Sequence, residues 1–177
     1  MISKEVLVGN KIILRTVGES DCNDAYVSWM NDYETNYYME TRWTEQTLEA
    51  ITDFVNSVAK SQDSYLFAII DKNSSKHIGN IKLGPINQKY KYAEISYFIG
   101  DKIFRGMGYA QEAVELVCEY GFNFLQLHRI QAGVIDGNKR SEKVLEANGF
   151  LLEGRLRQKF IRDGVYLDHL IYGRIKR

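Results

Sequence analysis

The segment that most constrains the fold runs from residue 92 to residue 125, where a strand pattern, a glycine-containing turn and a helix pattern follow one another. The turn is Arg105-Gly106-Met107-Gly108-Tyr109-Ala110. The first turn of a helix has backbone N–H groups without internal partners, and these groups favour anions such as a pyrophosphate. We therefore call residues 105–110 the phosphate turn and predict that the following helix spans residues 108–125.

The composition of the phosphate turn narrows the kinds of ligand that fit it. Gly106 and Gly108 have no side chain to keep a phosphate away, and they permit positive φ. Arg105 either adds charge or braces the turn. A P-loop would need Gly-Lys-Ser/Thr, whereas Tyr109 follows Gly108, and a dinucleotide fingerprint would need a third glycine where Gln111 stands. Taken alone, a Gly-x-Gly turn more often makes a tight strand-to-helix connection than a ligand site.

The remaining pattern predicts an α+β chain with one domain over residues 1–177. Two helices are predicted early, the first beginning at Ser20 or Asp21 and the second at Thr44. The element order is β-α-α-β-β-β-α-β-α-β-β, which combines antiparallel strands with one strand–helix–strand crossover. The predicted strands cover residues 11–16, 65–70, 77–83, 92–99, 129–135, 150–161 and 165–175, and a short helix covers residues 138–148.

Composition and charge exclude several function classes. The net charge is zero, which argues against a general nucleic-acid binder. No apolar run is long enough for a membrane helix, and no secretory pattern is visible at the start. The histidines (His77, His128, His169) and cysteines (Cys22, Cys118) lack metal-ligand spacing. We expect a cytoplasmic protein that binds no metal, no nucleic acid and no membrane.

The zero net charge hides an asymmetry along the chain. Residues 1–64 contain 11 acidic and 5 basic residues, and the rest contain 12 acidic and 18 basic residues. An acidic half beside a basic half would suit a cationic acceptor and an anionic cofactor. Chance distribution over solvated faces is an equally weighted alternative.

Several motifs in the same order resemble those of one enzyme superfamily. Arg105-x-x-Gly108-x-Ala110 resembles the acetyl-CoA signature of the GCN5-related N-acetyltransferase (GNAT) superfamily. Residues 136–141 (DGNKRS) and 146–150 (EANGF) resemble its next segment, and residues 152–156 and 162–168 look like the C-terminal hairpin of the RimJ/RimL-type subgroup. The resemblance spans roughly residues 10–175 and implies an acetyl-CoA-dependent N-acetyltransferase.

The resemblance also implies a fold and a cofactor site. The GNAT fold has a mixed, mostly antiparallel central sheet of about seven strands flanked by about four helices. Its splayed strands, here residues 92–99 and 129–135, hold the pantetheine arm of acetyl-CoA, while the phosphate turn holds the pyrophosphate. The implied acetyl-CoA contacts are Phe98, Ile99, Gly100, Arg105, Gly106, Met107, Gly108, Tyr109, Ala110, Asn138 and Ser141.

Acetyl transfer to an amine needs a base, because an ammonium group with a pKa near 10 must lose a proton before it attacks. Glu94 is the predicted catalytic base. It lies in the strand before the phosphate turn, has the strand parity of Ser96 and Phe98, and matches the position of a strand glutamate often assigned as base in related acetyltransferases. The alternative is an ordinary strand glutamate that faces solvent or pairs with Lys82.

The leaving thiolate benefits from a proton donor. Many superfamily members have a tyrosine seven residues after the motif asparagine, but here Asn138 is followed at that distance by Leu145. RimL-like members resemble this chain in having serine at the place of Ser141, so Ser141 is the predicted catalytic donor. Tyr97 and Tyr166 are alternative donors.

Residues 29–43 connect the first two predicted helices and are unusually aromatic and acidic, and we call them the acceptor segment. In the superfamily this region covers the acceptor pocket; hydrophobic capping of the sheet is the alternative role. We expect a small-molecule amine, either a polyamine or a nucleotide-linked amino sugar, with the N-terminus of a protein such as a ribosomal protein, or a non-catalytic acetyl-CoA-binding module, as alternatives. The sequence does not decide whether the protein forms a homodimer. The predicted acceptor contacts are Trp29, Asn31, Tyr38, Glu40, Arg42 and Tyr97.

Overall fold

The computed structural model describes residues 5–177. Its eight strands form one sheet in the order β1-β2-β3-β4-β5-β6-β8-β7. All neighbouring strands are antiparallel except β5 and β6, which are parallel. The strands are β1 (Val6–Val8), β2 (Ile12–Thr16), β3 (Tyr65–Asp71), β4 (His77–Asn87), β5 (Tyr92–Ile99), β6 (Arg129–Ile135), β7 (Leu151–Arg162) and β8 (Val165–Ile175). The α-helices are α1 (Asp24–Asn31), α2 (Tyr33–Asn36), α3 (Leu48–Lys60), α4 (Tyr109–Glu119) and α5 (Lys139–Ala147).

Alternation along the strands sends apolar side chains to both faces of the sheet, so each face carries helices. On β3, Phe67 and Ile69 point into the core that includes α4, whereas Leu66 and Ala68 point into the core that includes α1 and α3. Helix α4 contributes a fully buried stripe, of which Val117 is typical. The result is a three-layer arrangement in which the sheet separates α1–α3 from α4 and α5.

The α+β prediction is confirmed, with one strand and one helix more than expected. Strand β1 was not predicted because it has only three residues, two of which are exposed, and α2 lies inside the acceptor segment. The predicted helix over 108–125 begins at Tyr109 and ends as an α-helix at Glu119. A π-helical turn, Tyr120–Phe124, follows, because the N–H of Leu125 donates to the carbonyl of Tyr120.

The predicted starts of the first two helices are wrong, because the polar side chains there have other partners. Asp21 lies in a 3₁₀ turn and accepts hydrogen bonds from Arg15, so Asn23 caps α1 instead. Thr44 ends a second 3₁₀ turn, and Thr47 caps α3 through a bond to the backbone N–H of Ala50. Within residues 5–177, no helix has the length and apolar character needed to cross a membrane.

Strands β5 and β6 pair only at their beginnings, which opens the sheet on one edge. Among the described residues the parallel pairing consists of Tyr92 with Arg129, Ala93 with Ile130 and Glu94 with Gln131. Beyond Glu94, β5 continues to Ile99 without β6 beside it. Its main-chain groups on that side therefore face a gap, and the phosphate turn begins shortly after the end of β5.

Candidate active site

The backbone of the phosphate turn depends on its two glycines. Gly106 has φ of 74° and Gly108 has φ of 85°, a region that side-chain-bearing residues rarely adopt. Both are exposed, and no other atom lies within 4 Å of the place where a Cβ on Gly106 would be. The conformation, rather than crowding inside the protein, therefore requires glycine, and the outer surface of the turn is open.

The helix that follows the phosphate turn begins differently from the other α-helices. In α1, α2, α3 and α5 a side chain caps the N-terminus by accepting a backbone N–H bond. Helix α4 has Gly108 at this position and so has no side-chain cap. Because the first N–H groups of a helix need a partner from outside its own ladder, the start of α4 is suited to an anion.

Arg105 braces the phosphate turn, the second of its two predicted roles. Its Nε donates to the carbonyl of Ile99 at 3.0 Å, and its guanidinium also donates to the carbonyl of Gly100 at 3.2 Å and to Oγ1 of Thr35 at 2.6 Å. A carboxylate oxygen of Glu34 lies 3.6 Å away. Arg105 thus ties together the end of β5, its own turn and the acceptor segment.

Trp29 packs directly against the end of β5. A Cβ on Gly100 would lie 2.2 Å from the indole of Trp29, so only glycine fits there. The indole also makes edge contacts with the rings of His77 and Phe98, with centroids 5.2 and 6.4 Å away. The structure therefore places Trp29 and Phe98 in the packing between α1 and β5, beside the gap.

Ser141 lies at the first turn of α5, where Asn138 caps the helix by accepting the N–H of Ser141 at 3.3 Å. The hydroxyl of Tyr97 lies 3.0 Å from Oγ of Ser141 and 3.3 Å from its carbonyl oxygen. Burial raises the pKa of Tyr97 to about 12, so this hydroxyl keeps its proton at neutral pH. Two of the predicted donors thus form one hydroxyl pair, whereas Tyr166 lies exposed beside the β7–β8 turn.

Glu94 lies on the opposite face of β5 from Tyr97, because their positions differ by an odd number of residues. Its side chain is exposed, and Oε1 accepts a hydrogen bond from Nε2 of Gln131 at 3.1 Å. Gln131 is the β6 residue paired with Glu94 in the last register position before the gap. Glu94 and the Ser141–Tyr97 pair therefore flank the gap from opposite faces of the sheet.

The acceptor segment is fastened to the end of the β7–β8 hairpin by a buried arginine that sequence analysis missed. Arg162 is 2% exposed, and its guanidinium donates to the carbonyls of Tyr37 at 2.8 Å and Met39 at 3.3 Å. The next residue, Asp163, accepts from the hydroxyl of Tyr33 at 2.9 Å. Residues 162–168 are recognisable from the sequence only as a hairpin motif, because the partners that give Arg162 this role are main-chain carbonyls more than 120 positions away.

The other predicted acceptor contacts lie in different surroundings. Arg42 is enclosed by three aromatic rings 5.0 to 5.3 Å from its guanidinium carbon, and Asn31 is bonded to the backbone of Gln46 in both directions. Tyr38 packs beside Gly137, with its hydroxyl 3.2 Å from the place of a Cβ there. Glu40 is exposed. Arg42 and Asn31 thus have their polar groups engaged by other groups of the protein, whereas the Glu40 carboxylate is exposed.

The acidic and basic halves of the chain meet at the acceptor segment. Lys102 lies 2.9 Å from Asp32 and 3.2 Å from Glu34, and Glu34 also lies 3.8 Å from Arg140. These pairs join the start of the acceptor segment to the region of the phosphate turn and to α5. Part of the charge asymmetry along the sequence is therefore balanced by ion pairs within the protein.

Comparisons with known proteins identify the family of the chain. The family model "Acetyltransferase (GNAT) domain" matches residues 11–151. A Bacillus subtilis (strain 168) protein named "Uncharacterized N-acetyltransferase YoaA" is 31% identical over 97% of each chain. Two Escherichia coli (strain K12) relatives are each 25% identical: spermidine N(1)-acetyltransferase, over 78% of this chain and 74% of its own, and [ribosomal protein uS5]-alanine N-acetyltransferase, over 96% and 90%.

The fold is shared with solved structures at low sequence identity. A RimL ribosomal L7/L12 alpha-N-protein acetyltransferase in complex with coenzyme A superposes with a TM-score of 0.86, at 21% identity, over 97% of this chain and 98% of that one. The match of the family model to most of the chain, together with full-length relatives named as acetyltransferases, shows that this chain belongs to the GNAT family and is an N-acetyltransferase.

Proposed function

We propose that this enzyme transfers an acetyl group from acetyl-CoA directly to a primary amine, with Glu94 as base and Ser141 as donor on the thiol side. The observation that carries the proposal is the gap between β5 and β6. A carboxylate and a hydroxyl pair flank it from opposite faces, and the uncapped start of α4 lies close by. Acetyl-CoA supplies a thioester, which an amine attacks without a covalent enzyme intermediate.

The residues around the gap fit coenzyme A. The glycine conformations leave the outer side of the phosphate turn open, and α4 has unpaired N–H donors for a pyrophosphate. The unpaired edge of β5, at Phe98, Ile99 and Gly100, offers main-chain groups to an amide-containing pantetheine arm. Arg105 supports this arrangement indirectly, because its donors hold the turn against β5.

Glu94 is suited to accept the proton of the acceptor ammonium. It is exposed on the face that also carries the acceptor segment, so an amine can reach it, and the bond from Gln131 orients the carboxylate. Removal of a proton from a group with a pKa near 10 is the step for which a positioned base contributes about 10²- to 10⁴-fold. Glu94 then returns the proton to solvent.

Ser141 is suited to donate its hydroxyl proton towards the leaving sulfur. The new amide nitrogen releases one proton to solvent, and Ser141 regains its proton from solvent. Tyr97, predicted from the sequence as an acceptor contact, supports Ser141 from the same face: its buried hydroxyl lies at hydrogen-bond distance and stays protonated. The pair replaces the tyrosine that is absent at Leu145, which is fully buried in the core. We assign Tyr97 to this donor pair.

For the acceptor we propose a small-molecule amine. The acceptor segment is fastened at both ends, by Lys102 and Arg105 near the phosphate turn and by Arg162 at the hairpin, which supports a bounded pocket. The protein N-terminus is the second candidate. It is favoured by the uS5-alanine acetyltransferase, whose similarity extends over more of this chain than that of the spermidine enzyme.

A panel of amines tests the proposal. Purified protein is incubated with acetyl-CoA and, separately, polyamines, amino sugars, amino-acid esters and N-terminal peptides, while thiol release is followed. We expect release above the hydrolysis background with at least one class. Tight acetyl-CoA binding with no release from any amine would contradict the proposed function.

A further inference from the structure

His169 is a titratable side chain that the proposed reaction leaves unused, although it lies on the sheet face of Glu94. On β6, Gln131, Gly133 and Ile135 share one face. Glu94 pairs with Gln131 across the β5–β6 boundary, and His169 pairs with Ile135 across the β6–β8 boundary. Directly paired residues share a face, so His169 and Glu94 lie on the same side of the sheet.

The imidazole of His169 extends from β8 across β6 towards the base. A Cβ on Gly133 would lie 2.2 Å from Nε2, so the ring occupies the space that a side chain at Gly133 would fill. The carboxylates of Glu94 and Glu40 are both close enough to act electrostatically on the ring. His169 is thus within electrostatic range of the proposed base and of one carboxylate of the acceptor segment.

The contacts of His169 define which ring nitrogen carries hydrogen. Nζ of Lys159 lies 3.0 Å from Nδ1, and because an ammonium group can only donate, Nδ1 is the acceptor. The neutral ring therefore has its hydrogen on Nε2, over Gly133. The ring of Phe160, at 5.1 Å and 75°, packs edge-on against the imidazole and holds its plane.

The protonation state agrees with this tautomer. Burial, and then the charge of Lys159, lower the pKa of His169, while Glu40 and Glu94 act in the opposite direction. The net direction is downward, so the ring is neutral at pH 7. The result is an oriented, uncharged N–H donor on the same sheet face as a carboxylate base.

We propose that His169 is a specificity-determining residue, whose Nε2–H donates to an oxygen atom that the acceptor carries next to its reacting amine. The inference rests on the proposed function and specifies its acceptor. An amine with a carbonyl or hydroxyl group on the neighbouring carbon places nitrogen towards Glu94 and oxygen towards His169. Amino sugars and amino-acyl compounds have this arrangement, whereas a polyamine has no oxygen to accept the bond.

A matched pair of acceptors tests the inference. Alaninamide and 1,2-diaminopropane share a carbon skeleton and a primary amine, but only alaninamide has a carbonyl oxygen beside it. We compare kcat/KM for both with wild type, His169→Phe, which keeps a planar ring and has no donor, and His169→Gln, which keeps an N–H donor. In His169→Phe, the ratio of kcat/KM for alaninamide to that for diaminopropane should fall about tenfold, and His169→Gln should recover part of it.

A purely structural role would lower both values together and leave their ratio unchanged, which would overturn the inference. Thermal unfolding of each variant shows whether it is folded. Calorimetric binding of the two amines to the coenzyme A complex repeats the comparison without turnover. A wild-type enzyme that releases no thiol with any amine contradicts the proposed function, whereas an unchanged binding ratio in His169→Phe contradicts the role of His169.

Discussion

The phosphate turn and the acceptor segment lie side by side but are built by different means. The phosphate turn takes its shape from Gly106 and Gly108, whose positive φ angles leave backbone donors open. The acceptor segment takes its position from side chains elsewhere in the chain, chiefly Arg105 and Arg162. The cofactor half of the site, at the phosphate turn, therefore depends on local backbone conformation, whereas the acceptor half depends on long-range contacts.

The two fastenings of the acceptor segment also differ in strength. The ion pairs of Lys102 with Asp32 and Glu34 are partly exposed, and such pairs contribute about 0–1 kcal/mol each. The bonds from Arg162 to the carbonyls of Tyr37 and Met39 are buried, and hydrogen bonds from a charged donor contribute about 1.5–3 kcal/mol each. At the phosphate-turn end only the bond from Arg105 to Thr35 is of the same buried, charged kind, so the two bonds of Arg162 should make the larger contribution to the stability of the segment.

The largest expected effect is at the phosphate turn. Gly108→Asp adds a side chain at φ of 85° and a negative charge where the pyrophosphate is expected, so acetyl-CoA affinity should fall at least about 100-fold. Calorimetry measures this. Met107→Ala is the matched control: the predicted contact of Met107 is its main-chain N–H, which the change keeps, so loss of the half-exposed side chain should alter affinity less than about threefold. Wild-type affinity in Gly108→Asp would contradict the placement of the pyrophosphate.

The next largest effect is expected at Glu94, the proposed base, on the sheet face that carries the acceptor segment. Glu94→Gln keeps the shape of the side chain but cannot take a proton, so kcat at pH 7 should fall about 100-fold. Part of the loss should return above about pH 9, where more of the amine is already neutral. Stopped-time thiol release across pH measures both changes. The control is Glu119→Gln, on the exposed side of α4; a pH profile like that of wild type in Glu94→Gln would remove Glu94 from this role.

Arg162→Met tests most directly whether the acceptor segment and the phosphate turn act independently. The change leaves the carbonyls of Tyr37 and Met39 without their buried donor and should cost about 2 kcal/mol, or about 6 °C in Tm. The acceptor KM should rise about tenfold, while acetyl-CoA affinity stays within about twofold. Arg157→Met, at an exposed position on the same strand, is the control. Equal losses of acceptor and acetyl-CoA affinity would show that the halves are not separable.

The smallest expected effect is a pH-dependent one at Asp32, the cap of α2. Hydrogen bonds from Thr35 and the nearby Lys102 lower the pKa of Asp32 to about 2. The folded state therefore gains stability from its charge above about pH 4 and loses it as the pH falls towards 2. Asp32→Asn, which keeps a capping oxygen, should lower Tm by about 2 °C at pH 6 and by much less at pH 2, where much of the Asp32 carboxyl is protonated in both the folded and the unfolded state.

Thermal unfolding between pH 2 and pH 6 checks this prediction. Asp53→Asn, which changes an exposed carboxylate on α3 in the same way, provides the comparison. A difference in Tm between wild type and Asp32→Asn that stays constant down to pH 2 would show that the charge of Asp32 does not stabilise the segment.

Sequence patterns predicted the elements around the phosphate turn well and those of the acceptor segment poorly. Glycine placement and helical periodicity are local, so the strand–turn–helix over 92–125 was predicted apart from its π-helical end. Asp21 and Thr44 were misread as caps because polar residues near a helix start have several possible partners. The choice of Asn23 and Thr47 followed from packing.

By itself, the sequence determined the α+β order, the phosphate turn and the family to which the chain belongs, because these depend on residues close together in the chain. Only the tertiary structure paired Tyr97 with Ser141, separated them from Glu94 by the thickness of the sheet, and brought Arg162 under the acceptor segment. His169 became a candidate for the same reason. Its neighbours Glu94 and Gly133 come from strands that are adjacent in the sheet and distant in sequence.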